Sequence, residues 1–121
     1  MKKDFDPVEH LILFHDAINA LDYPTIEDYF AENAVYVSGG VGGVIAGRDA
    51  IMVAFRKYFD AYPDQVASDR SVHRLSDYSA RSVWELKAKH SQTGEMLIRT
   101  GEETLTFNAS GKIIRVDVTD Y

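Results

Sequence analysis

One change of hydrophobic period divides this chain. Up to about Tyr62 the apolar residues recur at spacings of three and four, and from Val66 onward they alternate with polar residues between short turns. The first pattern suits helices with one buried stripe and the second suits half-buried strands. Helices first and a meander of strands after is an α+β plan, with the helices packed on one face of a strongly curved antiparallel or mixed sheet.

Asp6-Pro7 opens the first helix, with Asp6 as cap and Pro7 at the first helical position, and the helix runs to about Leu21. Its apolar positions, among them Leu11, Ile12, Leu13, Phe14 and Ile18, cover more than one stripe, so burial on two sides is expected. Asp22 and Pro24 start a shorter helix that ends near Glu32-Asn33. Ala34 to Ser38 is a strand by its β-branched and aromatic content. Gly39-Gly40-Val41-Gly42-Gly43 is a loop or bulged turn, with Val44-Ile45 as a short return strand. The third helix starts near Arg48-Asp49, carries Ile51, Phe55, Tyr58, Phe59 and Tyr62, and stops at Pro63. Four strands follow: Arg70 to Ser76, Arg81 to His90, Glu95 to Phe107, and Ile113 to Tyr121.

The 121 residues make one domain, spanning 1–121, and suffice to bury roughly two-thirds of the unfolded surface. With a net charge of −6 and no basic run, a nucleic acid is not an expected partner. No stretch is long and apolar enough to span a membrane, and the start of the chain does not read as a signal peptide. Zero cysteines exclude a disulfide framework and a thiol nucleophile, and fit a cytoplasmic protein. Gly42 to Gly47 has the glycine spacing of a phosphate loop but continues Arg48-Asp49 where Lys-Ser/Thr is needed. No metal-ligand spacing stands out, and no cofactor is expected.

Strand phase picks out the candidates for chemistry. Glu103 shares a face with Leu105 and Phe107, and Asp120 shares one with Ile114, Val116 and Val118, so both carboxylates fall on apolar faces. A carboxyl so placed could stay protonated as a donor, serve as a base, or pair internally with Arg99 or His90. His15 on the first helix could act as acid or base, or bond a backbone carbonyl or Asp120. Trp84, Leu86 and Ala88 share a face that carries His90 inward. Met96 and Ile98 argue against Leu97 for the inward face, which a bulge near Gly101 would reconcile.

Three segments carry a family resemblance: Phe30-Ala31-Glu32-Asn33-Ala34-Val35-Tyr36; Gly47-Arg48-Asp49-Ala50-Ile51 with Phe55; and Phe107-Asn108-Ala109-Ser110-Gly111-Lys112-Ile113-Ile114. With them the chain resembles the nuclear transport factor 2-like superfamily, and within it the SnoaL-like and ketosteroid-isomerase-like small proteins. The resemblance implies a cystatin-like cone with three helices, a pocket inside it for a small apolar or aromatic molecule, and a homodimer through the outer sheet face. It puts Phe14 where ketosteroid isomerases have an oxyanion tyrosine, Ser38 where they have the general-base aspartate, and Phe30 and Phe55 where they have two more tyrosines. Only Glu103 keeps the family's polar type. A serine cannot shuttle a proton as a carboxylate does, so steroid isomerisation is not expected.

The implied pocket would be walled by Phe14, Ile18, Tyr36, Ser38 and Phe55 on one side. Trp84, Leu86, His90, Leu105 and Val116 would wall the other. Glu103, His15 and Asp120 are the candidate catalytic groups. Three functions fit: small-molecule binding, acid-base chemistry of a lyase or isomerase, and a structural or oligomerisation module.

Overall fold

The computed structural model describes residues 5–38 and 43–121. In chain order these form α1 (Pro7–Asn19), α2 (Tyr23–Tyr29), β1 (Phe30–Ser38), β2 (Gly43–Ala46), α3 (Arg48–Ala61), β3 (Val66–Ser76), β4 (Ser79–Lys89), β5 (Met96–Phe107) and β6 (Ile113–Asp120). The strands make one six-stranded sheet in the order β2-β1-β6-β5-β4-β3. All pairs are antiparallel except β1 with β6, which is parallel. The sheet is therefore mixed and open, with β2 and β3 as its edges, rather than a closed barrel. The loop expected over Gly39–Gly42 lies outside the described residues.

Local chemistry sets the helix ends. The Asp6 carboxylate accepts from the Val8 and Glu9 amides at 3.0 and 3.3 Å, which caps α1. The other end closes with Leu21 at φ 53°, the Leu21 amide on Ile18 O and the Asp22 amide on Ala17 O. That is a Schellman ending built on a leucine rather than the usual glycine. Asp22 then caps α2 through the Thr25 amide and hydroxyl.

The expected two-sided burial of the first helix does not occur. Ile12 and Leu13 are more than 40% exposed, and the buried stripe is Leu11, Phe14, His15 and Ala17. Nor does the second helix reach Asn33: Phe30 has extended backbone and Phe30 pairs with Ile113, so the strand begins four residues earlier than its β-propensity suggests. Tertiary pairing outweighs local propensity there.

Two further phase expectations are corrected. No register shift occurs at Gly101, because β4 and β5 pair without interruption from Ser79↔Thr106 to Lys89↔Met96. Met96 and Ile98 face solvent and Leu97 and Arg99 face inward. In β6 the register shifts opposite Thr106 and Phe107, so Ile113 as well as Val116 is fully buried.

The main core is an aromatic-rich cluster between the helices and the sheet, including Leu11, Phe14, Phe30, Phe55, Phe59, Leu105 and Val116, and Trp84, Leu86 and Ala88 form a second, smaller one. Its rings meet edge to face: Phe14 on Phe30, Phe30 on Phe55, and Phe55 on both Tyr36 and Phe59, at centroid distances of 5.3–5.8 Å. Asn19 clamps the end of α1 to the start of β3 through paired bonds to Ala67 N and O, both 2.9 Å. That clamp fixes where His15 sits over the sheet.

Candidate functional site

A cavity of about 100 Å³ lies between α1, α3 and the sheet. Phe55, Tyr58 and Phe59 of α3, Tyr36 of β1, and Trp84 and Leu86 of β4 form its largely aromatic wall. His15 and Ile18 of α1, Ser38, Arg99, Glu103 and Gln65 also line it.

Its polar end is a chain of three ionisable groups from three elements. His15 sits on the buried stripe of α1 because positions 11, 14, 15 and 18 share a helical face. Its Nε2 lies 2.5 Å from Glu103 Oε1 and its Nδ1 lies 2.7 Å from Asp69 Oδ1. Asp69 also accepts from the Ser82 hydroxyl at 2.6 Å. Glu103 points in because it keeps the phase of Leu105 and Phe107 along β5. Asp69 points in because it keeps the phase of Ala67 along β3, and the register shift between Asp69 and Ser71, with Arg70 as the extra residue of a bulge, moves the inward phase to Val72 beyond it. Bulges re-aim side chains in this way.

Burial would lower the His15 pKa, but the Glu103 charge and the hydrogen bonds to Asp69 and Glu103 outweigh it and hold the ring at about 10. At neutral pH it is an imidazolium that donates from both nitrogens. Neither nitrogen has a lone pair to offer a metal, and no cluster of three candidate metal ligands occurs among the described residues. Burial would raise the Asp69 carboxyl, yet the His15 and Ser82 contacts hold it below its ordinary value. Burial, followed by the Glu103 charge, pushes the Tyr36 phenol far up, so Tyr36 stays a neutral donor facing the cavity. Glu103 Oε2 takes no hydrogen bond among the described residues.

A second ionic unit stands two inward positions away on β5. Arg99 donates to both oxygens of Asp120 at 2.8 and 2.9 Å and to the Tyr58 hydroxyl at 3.2 Å. It also lies 5.4 Å from the centre of the Trp84 ring. Between Arg99 and Glu103 stands Gly101, where a Cβ would come within 2.9 Å of Trp84 Cζ2 and 2.4 Å of Thr119 O. The absence of a side chain is what lets the indole lie there.

Of the residues expected from sequence, His15, Glu103, Ile18, Tyr36, Ser38, Phe55, Trp84 and Leu86 line this cavity, and five others do not. Phe14, Leu105 and Val116 are wholly buried in the core cluster, whereas Phe55 and Phe59 of the same cluster keep a little exposed surface and line the cavity. His90 lies past the end of β4, where its Nδ1 accepts from the Gln92 and Thr93 amides and closes a turn. Asp120 orients Arg99 instead of a histidine. His73 is exposed on the edge strand. Sequence reasoning missed Asp69, Arg99 and Tyr58 as site residues; Tyr58 was legible as one helical turn from Phe55, and Asp69 was hidden by the bulge.

This open, helix-covered mixed sheet with a cavity inside is the cone of nuclear transport factor 2-like proteins. The chain belongs to the SnoaL-like domain family, whose sequence profile matches residues 12–116. Among curated protein sequences none matches it. Solved structures of the same fold include a Mycobacterium tuberculosis protein in complex with estradiol-17β-hemisuccinate, at 15% identity, 93% coverage of this chain, 91% of that one and a TM-score of 0.83. A proposed polyketide cyclase from Pseudomonas putida is similar at 17% identity, 95% and 91% coverage and a TM-score of 0.83. A protein with a ketosteroid isomerase-like fold from Catenulispora acidiphila in complex with trimethylamine is similar at 11% identity, 94% and 86% coverage and a TM-score of 0.81. At these identities the likeness is one of fold.

Proposed function

We propose that this single-domain protein binds a compact, largely apolar small molecule in its cone, with the Asp69–His15–Glu103 chain as the polar end of the site. The observation that carries the reading is the placement of Glu103, a residue that lines an aromatic-walled cavity: one oxygen is held by His15, and the other has no partner among the described residues. An accessible carboxylate oxygen without a partner among the described residues is open to a ligand donor. The small size of the cavity favours a compact ligand over the steroid ester held by the M. tuberculosis neighbour. Drug-sized ligands need roughly 300 Å³ or more.

Acid-base chemistry is the second reading, favoured by the same chain. Glu103 Oε2 would take a proton from the bound molecule and return it elsewhere. His15, neutralised meanwhile by Asp69, would hold Glu103 in place. Neighbours of this fold that include a proposed polyketide cyclase keep that reading open. A homodimer is supported by the exposed Met96 and Ile98 on the outer sheet face, and a cytoplasmic site by the absence of cysteine.

Trp84 is the single tryptophan and lines the cavity, so its emission reports occupancy. Cyclopentanol titrated into the protein is expected to change Trp84 emission saturably. Ala54 of α3 also lines the cavity, and an Ala54→Phe variant, whose ring would fill it, is expected to lose the response. An identical response in both proteins would refute the reading.

A further inference from the structure

Charge and wall chemistry narrow the occupant further. Two positive groups, His15 and Arg99, and one carboxylate, Glu103, line the cavity, while Asp69 pairs with His15 and Asp120 with Arg99. Asp120 binds Arg99 through both oxygens, so that pair is closed. The uncompensated negative charge therefore belongs to the Asp69–His15–Glu103 chain. Among the described residues Asp69 Oδ2 and Glu103 Oε2 take no hydrogen bond, and of these two side chains only Glu103, 9% exposed, lines the cavity.

The cavity that Glu103 lines is walled by the aromatic side chains of Tyr36, Phe55, Tyr58, Phe59 and Trp84. Aromatic faces attract cations electrostatically, and Arg99 already lies over Trp84 in this way. A carboxylate ligand would meet the excess negative charge. An ammonium carrying alkyl groups would meet all three features: its N–H answers the carboxylate with a charge-assisted bond, its charge offsets the excess, and its alkyl groups contact the rings. A cavity of about 100 Å³ suits a trimethylammonium-sized group.

We propose that the cone takes a small alkylated ammonium ion, caged by Tyr36, Phe55, Tyr58, Phe59 and Trp84 with its N–H on Glu103 Oε2. This rests on the cone being a small-molecule site, and the test separates the two. The protein is titrated at constant ionic strength with trimethylammonium chloride, with tert-butanol as a neutral molecule of similar size, and with sodium acetate. Trp84 emission is the readout.

Trimethylammonium is expected to bind at least tenfold more tightly than tert-butanol, with acetate silent. Glu103→Gln is expected to remove the advantage of trimethylammonium over tert-butanol, so that the two bind the variant within about twofold of each other. If tert-butanol binds as well as trimethylammonium to the unaltered protein, the cation assignment is overturned and the ligand site stands. If trimethylammonium keeps its advantage in a folded Glu103→Gln protein, the role of Glu103 is overturned. If all three probes and cyclopentanol are silent, the site itself is overturned. Should the variant not fold, the ratio measured on the unaltered protein decides.

Discussion

His15 shows how a single buried residue can carry both the stability and the chemistry of a site. Its ordinary pKa of 6.5 rises to about 10 in the fold. Between those values the folded protein holds one proton more than the unfolded chain, so stability falls as pH rises. The contribution is fully present below pH 6.5 and is gone above the folded value. Asp69 works in the opposite direction: its carboxyl is held low, so its contribution is present above its ordinary value of 3.8 and is lost in acid. Tyr36 is neutral in both states until about pH 10 and adds nothing in this window. Thermal and urea melts are expected to show a loss of about 2–4 kcal/mol between pH 7 and pH 10. In Glu103→Gln that alkaline loss should shrink to less than half, because the Glu103 charge is the largest influence raising His15. The glutamine oxygen can still accept from His15 Nε2, so the variant should lose only about 1 kcal/mol at pH 7. An unchanged alkaline loss would mean that Glu103 does not set the protonation of His15. A cost of about 3–5 kcal/mol at pH 7 would mark the pair as structural.

Strand phase decides what this site contains, and elements differ in how plainly the sequence shows it. In β4 and in the second half of β5 the alternation is clean, and Trp84, Leu86, Glu103 and Leu105 all take the inward side it indicates. In the first half of β5 two hydrophobic residues, Met96 and Ile98, face solvent, and the inward positions go to Leu97 and Arg99. Hydrophobicity alone misleads there because Arg99 is matched by Asp120, a partner 21 positions away. In β3 a bulge at Arg70 breaks the phase between Asp69 and Val72, so the apolar Val72 gives no sign that Asp69 faces inward with Ala67. The turn at Leu21 was equally hidden, since leucine gives no signal for a left-handed backbone. Gly101 was legible as special, but for another reason than a bulge: it makes room for Trp84 and for the backbone of Thr119. Gly101→Ala should therefore cost about 1–3 kcal/mol or more, since a backbone oxygen cannot step aside as a side-chain tip can. It should also shift Trp84 emission. A urea midpoint and an emission spectrum equal to those of the unaltered protein would contradict this account of the glycine.

For the whole molecule, the order of elements and the three family segments were enough to place the fold, because a chain of helices followed by a meander has few ways to bury both apolar patterns. They did not place the cavity's extent. Phe14, Leu105 and Val116 share the expected faces yet lie in packed core, a distinction set by how the Phe14, Phe30 and Phe55 rings interlock. What separates a ligand-binding cone from a merely packed one is where a small molecule goes. Nuclear Overhauser contacts between cyclopentanol and the protein test this most directly. The account predicts contacts to the rings of Trp84, Phe55 and Tyr36, inside the cone. Contacts confined to the exposed Met96 and Ile98 of the outer sheet face would contradict it.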